Sequence, residues 1–160
     1  MTSKATQLHK IPLPTVEQYV EAFRKVEQRL GAKQKEILRA LLEAHHRAPG
    51  RVVSATSLAN EMCLKGFDFP NFNTVSLHYG ILARELSEEL RIPPRDAVQI
   101  GVFVDFVPPD YASNTDYLWV LKQRVAEALE QLRWVPRVSH LLYPHEALAE
   151  QDPSARVYGA

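Results

Sequence analysis

Between residues 98 and 121 of this 160-residue chain, the apolar residues recur at every second position. Val98, Ile100, Val102, Val104 and Phe106 form one series, and Tyr117, Trp119 and Leu121 form another. Alternate side chains of an extended chain share a face, so each series predicts a strand with one buried side. Pro108, Pro109, Asp110, Ser113 and Asn114 lie between the two and supply a loop. A hairpin is therefore expected, with a loop of about eight residues, longer than the usual two to five.

The segment before this hairpin, Ser54 to Leu90, is patterned as a short helix, a link and a longer helix. Ser54 or Thr56 is placed to cap the first helix, which carries Leu58 and Met62 four apart. From Cys63 to Phe72 the link holds Gly66, Asp68, Pro70 and Asn71, a cluster that stops one helix and starts another. The second helix, residues 72–90, has Val75, Tyr79, Leu82, Leu86 and Leu90 on one stripe. Asn73, Leu77, Gly80 and Arg84 fall on the opposite face.

Upstream, residues 1–14 read as a polar, flexible leader with Pro12 and Pro14. Thr15 caps a helix bearing Val16, Tyr19, Val20, Phe23, Val26 and Leu30, and Gly31 is expected to end it. Glu17 and Glu21 suit the positive end of its dipole. A further helix runs from Ala32 to about His46, with Ile37, Leu38, Leu41 and Leu42 inward and Lys33, Lys35 and Arg39 outward. Arg51-Val52-Val53 is a short β-prone piece. Past the hairpin, Val125, Ala128, Leu129 and Leu132 mark a last helix that Trp134 closes. A short helix near His145–Glu150 is expected within a C-terminal extension, residues 136–160. One domain, residues 15–135, accounts for the rest.

Charge restricts the partners. The 19 basic and 19 acidic residues cancel, which argues against a protein that grips nucleic acid by bulk attraction alone. Residues 1–50 hold nine Lys/Arg against five Asp/Glu, so the basic excess precedes the helix-link-helix. Any DNA affinity should then be modest, or should draw on a homodimer or a protein partner. No apolar run reaches the ~20 residues of a membrane span, and no secretory signal opens the chain. The single cysteine fits a reducing compartment, so a cytoplasmic location is expected.

No catalytic or cofactor motif is present: there is no Gly-rich phosphate loop, nucleophile elbow or HExxH pattern. His45 and His46 are adjacent, so on a helix they diverge. With Cys63 or His78 they lack the second ligand pair a metal needs. They read instead as a solvated helix end. Cys63 has no neighbouring base and reads as a packing residue. Glu85, Glu88 and Glu89 read as a solvated face. The chain is expected not to be an enzyme.

A helix-link-helix with a buried stripe and a polar, small-residue outer face suits duplex DNA, whose major groove admits the start of the second helix. Most helical hairpins in globular domains only pack. Asn71 reads first as a helix cap; Asn73 can cap or read an adenine edge. Thr74, Ser76, Leu77 and His78 follow within reach of a groove floor. Leu77 can meet a thymine methyl or a protein partner equally well. Gly80 in mid-helix permits close approach of a phosphate or, more commonly, of another helix. Lys65, Arg84, Lys33 and Lys35 are phosphate contacts or plain solvent-facing charges. Tyr111 and Asn114 in the hairpin loop can reach the backbone or the minor groove, or stay free.

From residue 33 to 134 the sequence resembles winged helix-turn-helix DNA-binding domains. The matching parts are KQKEILRALLEAH, RVVSATSLANEM, NTVSLHYGILARELSEEL and the hairpin GVFVDFVPP…DYLWVLK. The segment KGF…LHYGILARELSEEL is similar to small bacterial winged-helix modules, some standing alone and some attached to HNH-type restriction endonucleases. The resemblance implies an α+β winged helix carrying an extra N-terminal helix and a helical C-terminal extension. The short Val52-Val53 strand would pair with the hairpin, which would be the wing. It also implies non-enzymatic binding to double-stranded DNA, as a small regulator or as the recognition component of a restriction or defence system. No HNH segment is present, so cleavage is not implied. The alternative is a protein–protein interaction module that keeps the scaffold without DNA, using exposed Leu77 and Ile81.

Overall fold

The computed structural model describes residues 13–93, 99–109 and 117–137. It is an α+β arrangement of five α-helices and a three-stranded antiparallel sheet among these residues. The expected leader up to Pro12, Tyr111, Asn114 and the expected helix near His145–Glu150 lie outside the described residues.

Helix α1, Val16–Arg29, begins with a reciprocal cap. The Thr15 hydroxyl accepts from the Gln18 amide, and the Gln18 side chain accepts from the Thr15 amide. Leu30 leaves the helix in an extended conformation, so Gly31 is not a left-handed stop. It serves as the N-cap position of α2, Ala32–Arg47. Pro49–Arg51 form a single 3-10 turn in which Gly50 takes a positive φ of 68°, and the chain then enters β1, Val52–Val53.

Helix α3, Ala55–Leu64, is capped by Ser54 rather than Thr56. It ends in a Schellman motif. Gly66 sits at φ 92°, its amide donates to the Cys63 carbonyl, and the Phe67 amide donates to the Met62 carbonyl. The link to α4 is shorter than the ten residues expected: Lys65 to Asn71 suffice, because Cys63 and Leu64 complete the last turn of α3. Helix α4, Phe72–Leu90, has Asn71 as N-cap, its side chain accepting from the Asn73 amide at 2.9 Å.

The sheet departs from the period-two reading on one side. Strand β2 is only Val104–Val107, and Gln99–Val102 form a 3-10 turn instead of extended chain. The buried Tyr19 hydroxyl donates to the Val102 carbonyl at 2.7 Å, and the Phe103 amide donates to Ile100. Ile100 and Phe103 therefore bury against the helices rather than within a ladder. Val98 lies outside the described residues. Strand β3, Leu118–Leu121, pairs antiparallel with β2 (Val104 opposite Leu121, Phe106 opposite Trp119) and with β1 (Val53 opposite Trp119). The order is β1-β3-β2. Helix α5, Gln123–Gln131, then returns against α1.

One core unites these elements: Tyr19, Phe23, Leu41, Leu58, Met62, Tyr79, Leu86, Phe103 and Leu129 are all sealed from solvent. Trp134 closes it edge-on against Phe23. The Arg39 guanidinium, expected on the outer side of its helix, lies 4.2 Å over that indole and bonds Glu27. Arg124 donates to the carbonyls of Leu13 and Pro14, just ahead of α1. No helix among the described residues is long and apolar enough to cross a membrane.

Candidate functional site

Helix α4 packs against α1, α3 and the Gln99–Val102 turn with a single face. Val75, Tyr79, Leu82 and Leu86 are buried there as the spacing requires, while Leu90 is half-buried at the helix's last position. Asn73, Leu77 and Arg84 align on the opposite face and stay exposed, with Leu77 at 62%. Gly80 lies between them, and a methyl group added there would meet nothing within 4 Å. Arg84 makes no ion pair among the described residues.

The other expected contact residues divide between the flanks of this stripe. Ser76 is exposed on the flank toward the hairpin, together with Phe72. Thr74 is half-buried on the other flank, its amide bonded to the Asn71 carbonyl. His78 also turns that way. It stacks on Phe69 with ring centroids 5.4 Å apart, and burial holds its imidazole below the usual range. Ile81, expected to be exposed, is half-buried beside His78 and Leu82, near Val26 of α1, Leu30 just past its end and Leu38 of α2. Lys65 stands at the end of α3 with its ammonium 3.9 Å from Glu43, so it is not a free cation. Lys33 is exposed and Lys35 half-buried on α2.

The acidic end of α4 is not a bare solvated face. Arg29 of α1 donates to Glu85 at 3.1 Å and also to Glu89, and Lys25 approaches Glu89 at 4.0 Å. The hydrogen bond to Glu89, more than that to Glu85, holds the Arg29 guanidinium above its ordinary pKa. Glu88 alone of the three stays exposed.

Beneath the buried face lies a polar arrangement the sequence reading missed. His45 is fully buried, not solvated: its Nε2–H donates to the Trp119 carbonyl at 3.0 Å, and Nδ1 accepts from the Tyr79 hydroxyl at 2.8 Å. A carbonyl oxygen only accepts, which fixes this tautomer. Burial pushes the His45 pKa down to about 4, so the ring is neutral at pH 7. Burial likewise pushes Tyr79 well above its usual range. His46, also buried, points the other way and bonds Glu130 of α5 at 2.9 Å. The two histidines diverge as adjacent helical positions must, and each ties α2 to a different neighbour. Cys63, expected to be buried, is exposed, its thiol donating to the Phe69 carbonyl at 3.0 Å. Among the described residues no three His, Cys, Asp or Glu side chains gather as a metal site.

Between the start of α4 and the hairpin runs an open groove of about 620 Å³. Phe72 and Ser76 form one wall and Phe106, Tyr117 and Trp119 the other. Comparison with protein-family models, with curated proteins and with solved structures finds no match to this chain.

Proposed function

We propose that the chain is a winged helix-turn-helix module that binds double-stranded DNA without catalysing a reaction. The observation that carries this reading is the uncovered stripe Asn73–Leu77–Gly80–Arg84 on a helix whose other side is anchored in the core. A rigid helix with an exposed amide near its start, a position free of side-chain bulk and, further along, a cation with no ion pair among the described residues is suited to a major groove and its phosphates. Pairing of the short β1 with a hairpin that follows α4 supports the winged-helix assignment. The Arg29 ion pairs with Glu85 and Glu89 favour it too, since they offset the negative charge that would repel phosphates. Service as a small regulator, or as the recognition component of a restriction or defence system, follows from the same reading.

The test is anisotropy of a short labelled random duplex across a salt series. Affinity should fall linearly on logarithmic axes, and Arg84→Ala should lower the slope by about one while Leu77→Ala leaves it unchanged. Absence of binding at low salt by folded protein refutes the reading. The second reading, a protein-interaction module without DNA, rests on the apolar exposure of Leu77, Phe72 and Leu64. It predicts the reverse pattern: Leu77→Ala abolishes partner binding and salt has little effect.

A further inference from the structure

The three carboxylates near the end of α4 are not equivalent. Glu85 and Glu89, four apart, turn toward α1, where Arg29 bonds both and Lys25 lies 4.0 Å from Glu89. Glu88 is exposed and forms no ion pair among the described residues. Positions four apart share a face of a helix, so Glu88 carries the outer stripe Asn73–Leu77–Gly80–Arg84 one turn further. It stands about 6 Å along the axis from Arg84. Arg ahead of Glu is the weaker order for such a pair, and the two side chains form none. Arg91, the next cation, follows the helix end at φ 56° and makes no ion pair with Glu88 among the described residues.

The stripe is therefore polarised along its length. It begins with an amide at the positive end of the helix dipole and carries a cation at Arg84. It ends on an unopposed carboxylate beside the negative end of the dipole. A phosphate held by Arg84 would have Glu88 within a Debye length, ~10 Å at ~0.1 M salt, so screening does not remove the repulsion. Unfavourable contacts of this kind limit where and how tightly a partner seats. The neutral charge of the whole chain sets no such boundary; a carboxylate on the contact face does. We infer that Glu88 is an electrostatic stop, which confines duplex contact to α4 from its start to Arg84 and lowers the affinity of a single copy. The inference rests on the DNA-binding reading above and adds the residue that bounds the contact.

The test titrates the full chain and its variants against a short labelled random duplex at ~0.1 M salt. Glu88→Gln should tighten binding about threefold and Glu88→Lys about tenfold, with the melting temperature retained because the side chain is exposed. Glu88→Lys should also steepen the salt slope by about one. Glu36→Gln makes the same change in net charge as Glu88→Gln from an exposed position on α2, and it should leave the affinity unchanged. Equal affinity of the parent and Glu88→Gln proteins would overturn the inference while leaving DNA binding in place. An equal gain from Glu36→Gln would do the same, since net charge alone would then account for the effect. Failure of parent and variants alike to bind the duplex would overturn the DNA reading and this inference with it.

Discussion

On the side of α4 that meets the core, Val75, Tyr79, Leu82 and Leu86 are shut away from solvent, and a buried imidazole lies hydrogen-bonded to Tyr79. On the opposite side Asn73, Leu77 and Arg84 are exposed among the described residues, and a methyl group on Gly80 would meet none of them. One helix thus carries two kinds of constraint within each turn. The inner residues answer to volume and hydrogen-bond satisfaction, while the outer ones contribute little to folding and are free to answer to something else.

Three measurements would break or sharpen that contrast. Leu86→Ala removes a fully buried side chain and should cost about 2–5 kcal/mol, read as a fall in the urea midpoint. A loss as small as that of an exposed position would dissolve the distinction between faces.

Acid should come next in size. The His45 pKa is about 4 folded against an ordinary 6.5, so the unfolded chain binds the extra proton between those values. His45 therefore contributes full stability above pH 6.5, and the contribution declines as pH falls toward 4. The total lost is on the order of 3 kcal/mol. Subtracting the pH profile of His45→Gln from that of the parent chain isolates this term, and a flat difference would contradict the buried neutral ring.

Gly80→Ala is the smallest change and has the opposite sign. The added methyl meets nothing, so the helix should gain about 0.5–1 kcal/mol and melt a few degrees higher. If the outer face touches duplex closely there, the same variant should bind DNA more weakly while being more stable. A parallel rise in both would remove Gly80 from the contact.

Much of the backbone plan was legible before the structure. The bounds of α4 follow from the four-three-four-four spacing of its apolar residues and from Asn71 ahead of them, and the capping of α1 follows from Thr15. The alternation Tyr117, Trp119, Leu121 marked β3 correctly. The same alternation misled over Ile100 and Val102, because a 3-10 turn pinned by the Tyr19 hydroxyl also buries residues there and its anchor lies 83 positions upstream. His45 and His46 at a helix end look like solvated cations. Their burial is decided by Tyr79, Trp119 and Glu130, 34 to 84 residues away, which local spacing does not encode. Cys63 carried a usable signal: Leu58 and Met62 define the inner side of α3, and the position after Met62 falls off it. The aromatic groove was half-visible, since the register of a hairpin puts Phe106 and Trp119 on one face. Where the core stops along that face depends on how far α4 reaches.

The His45 site also bears on how the chain acquires its structure. Its imidazole joins α2 to partners 34 and 74 residues downstream, so both contacts require long loops to close before either is made. Loop closure costs entropy before such contacts repay it, so we expect the imidazole's bonds to be absent from the folding transition state. Tyr79→Phe, which strips the hydroxyl from Nδ1, should accordingly leave the refolding rate nearly unchanged and accelerate unfolding. The imidazole would then act as a latch on an assembled domain, governing how long α4 and the sheet stay together.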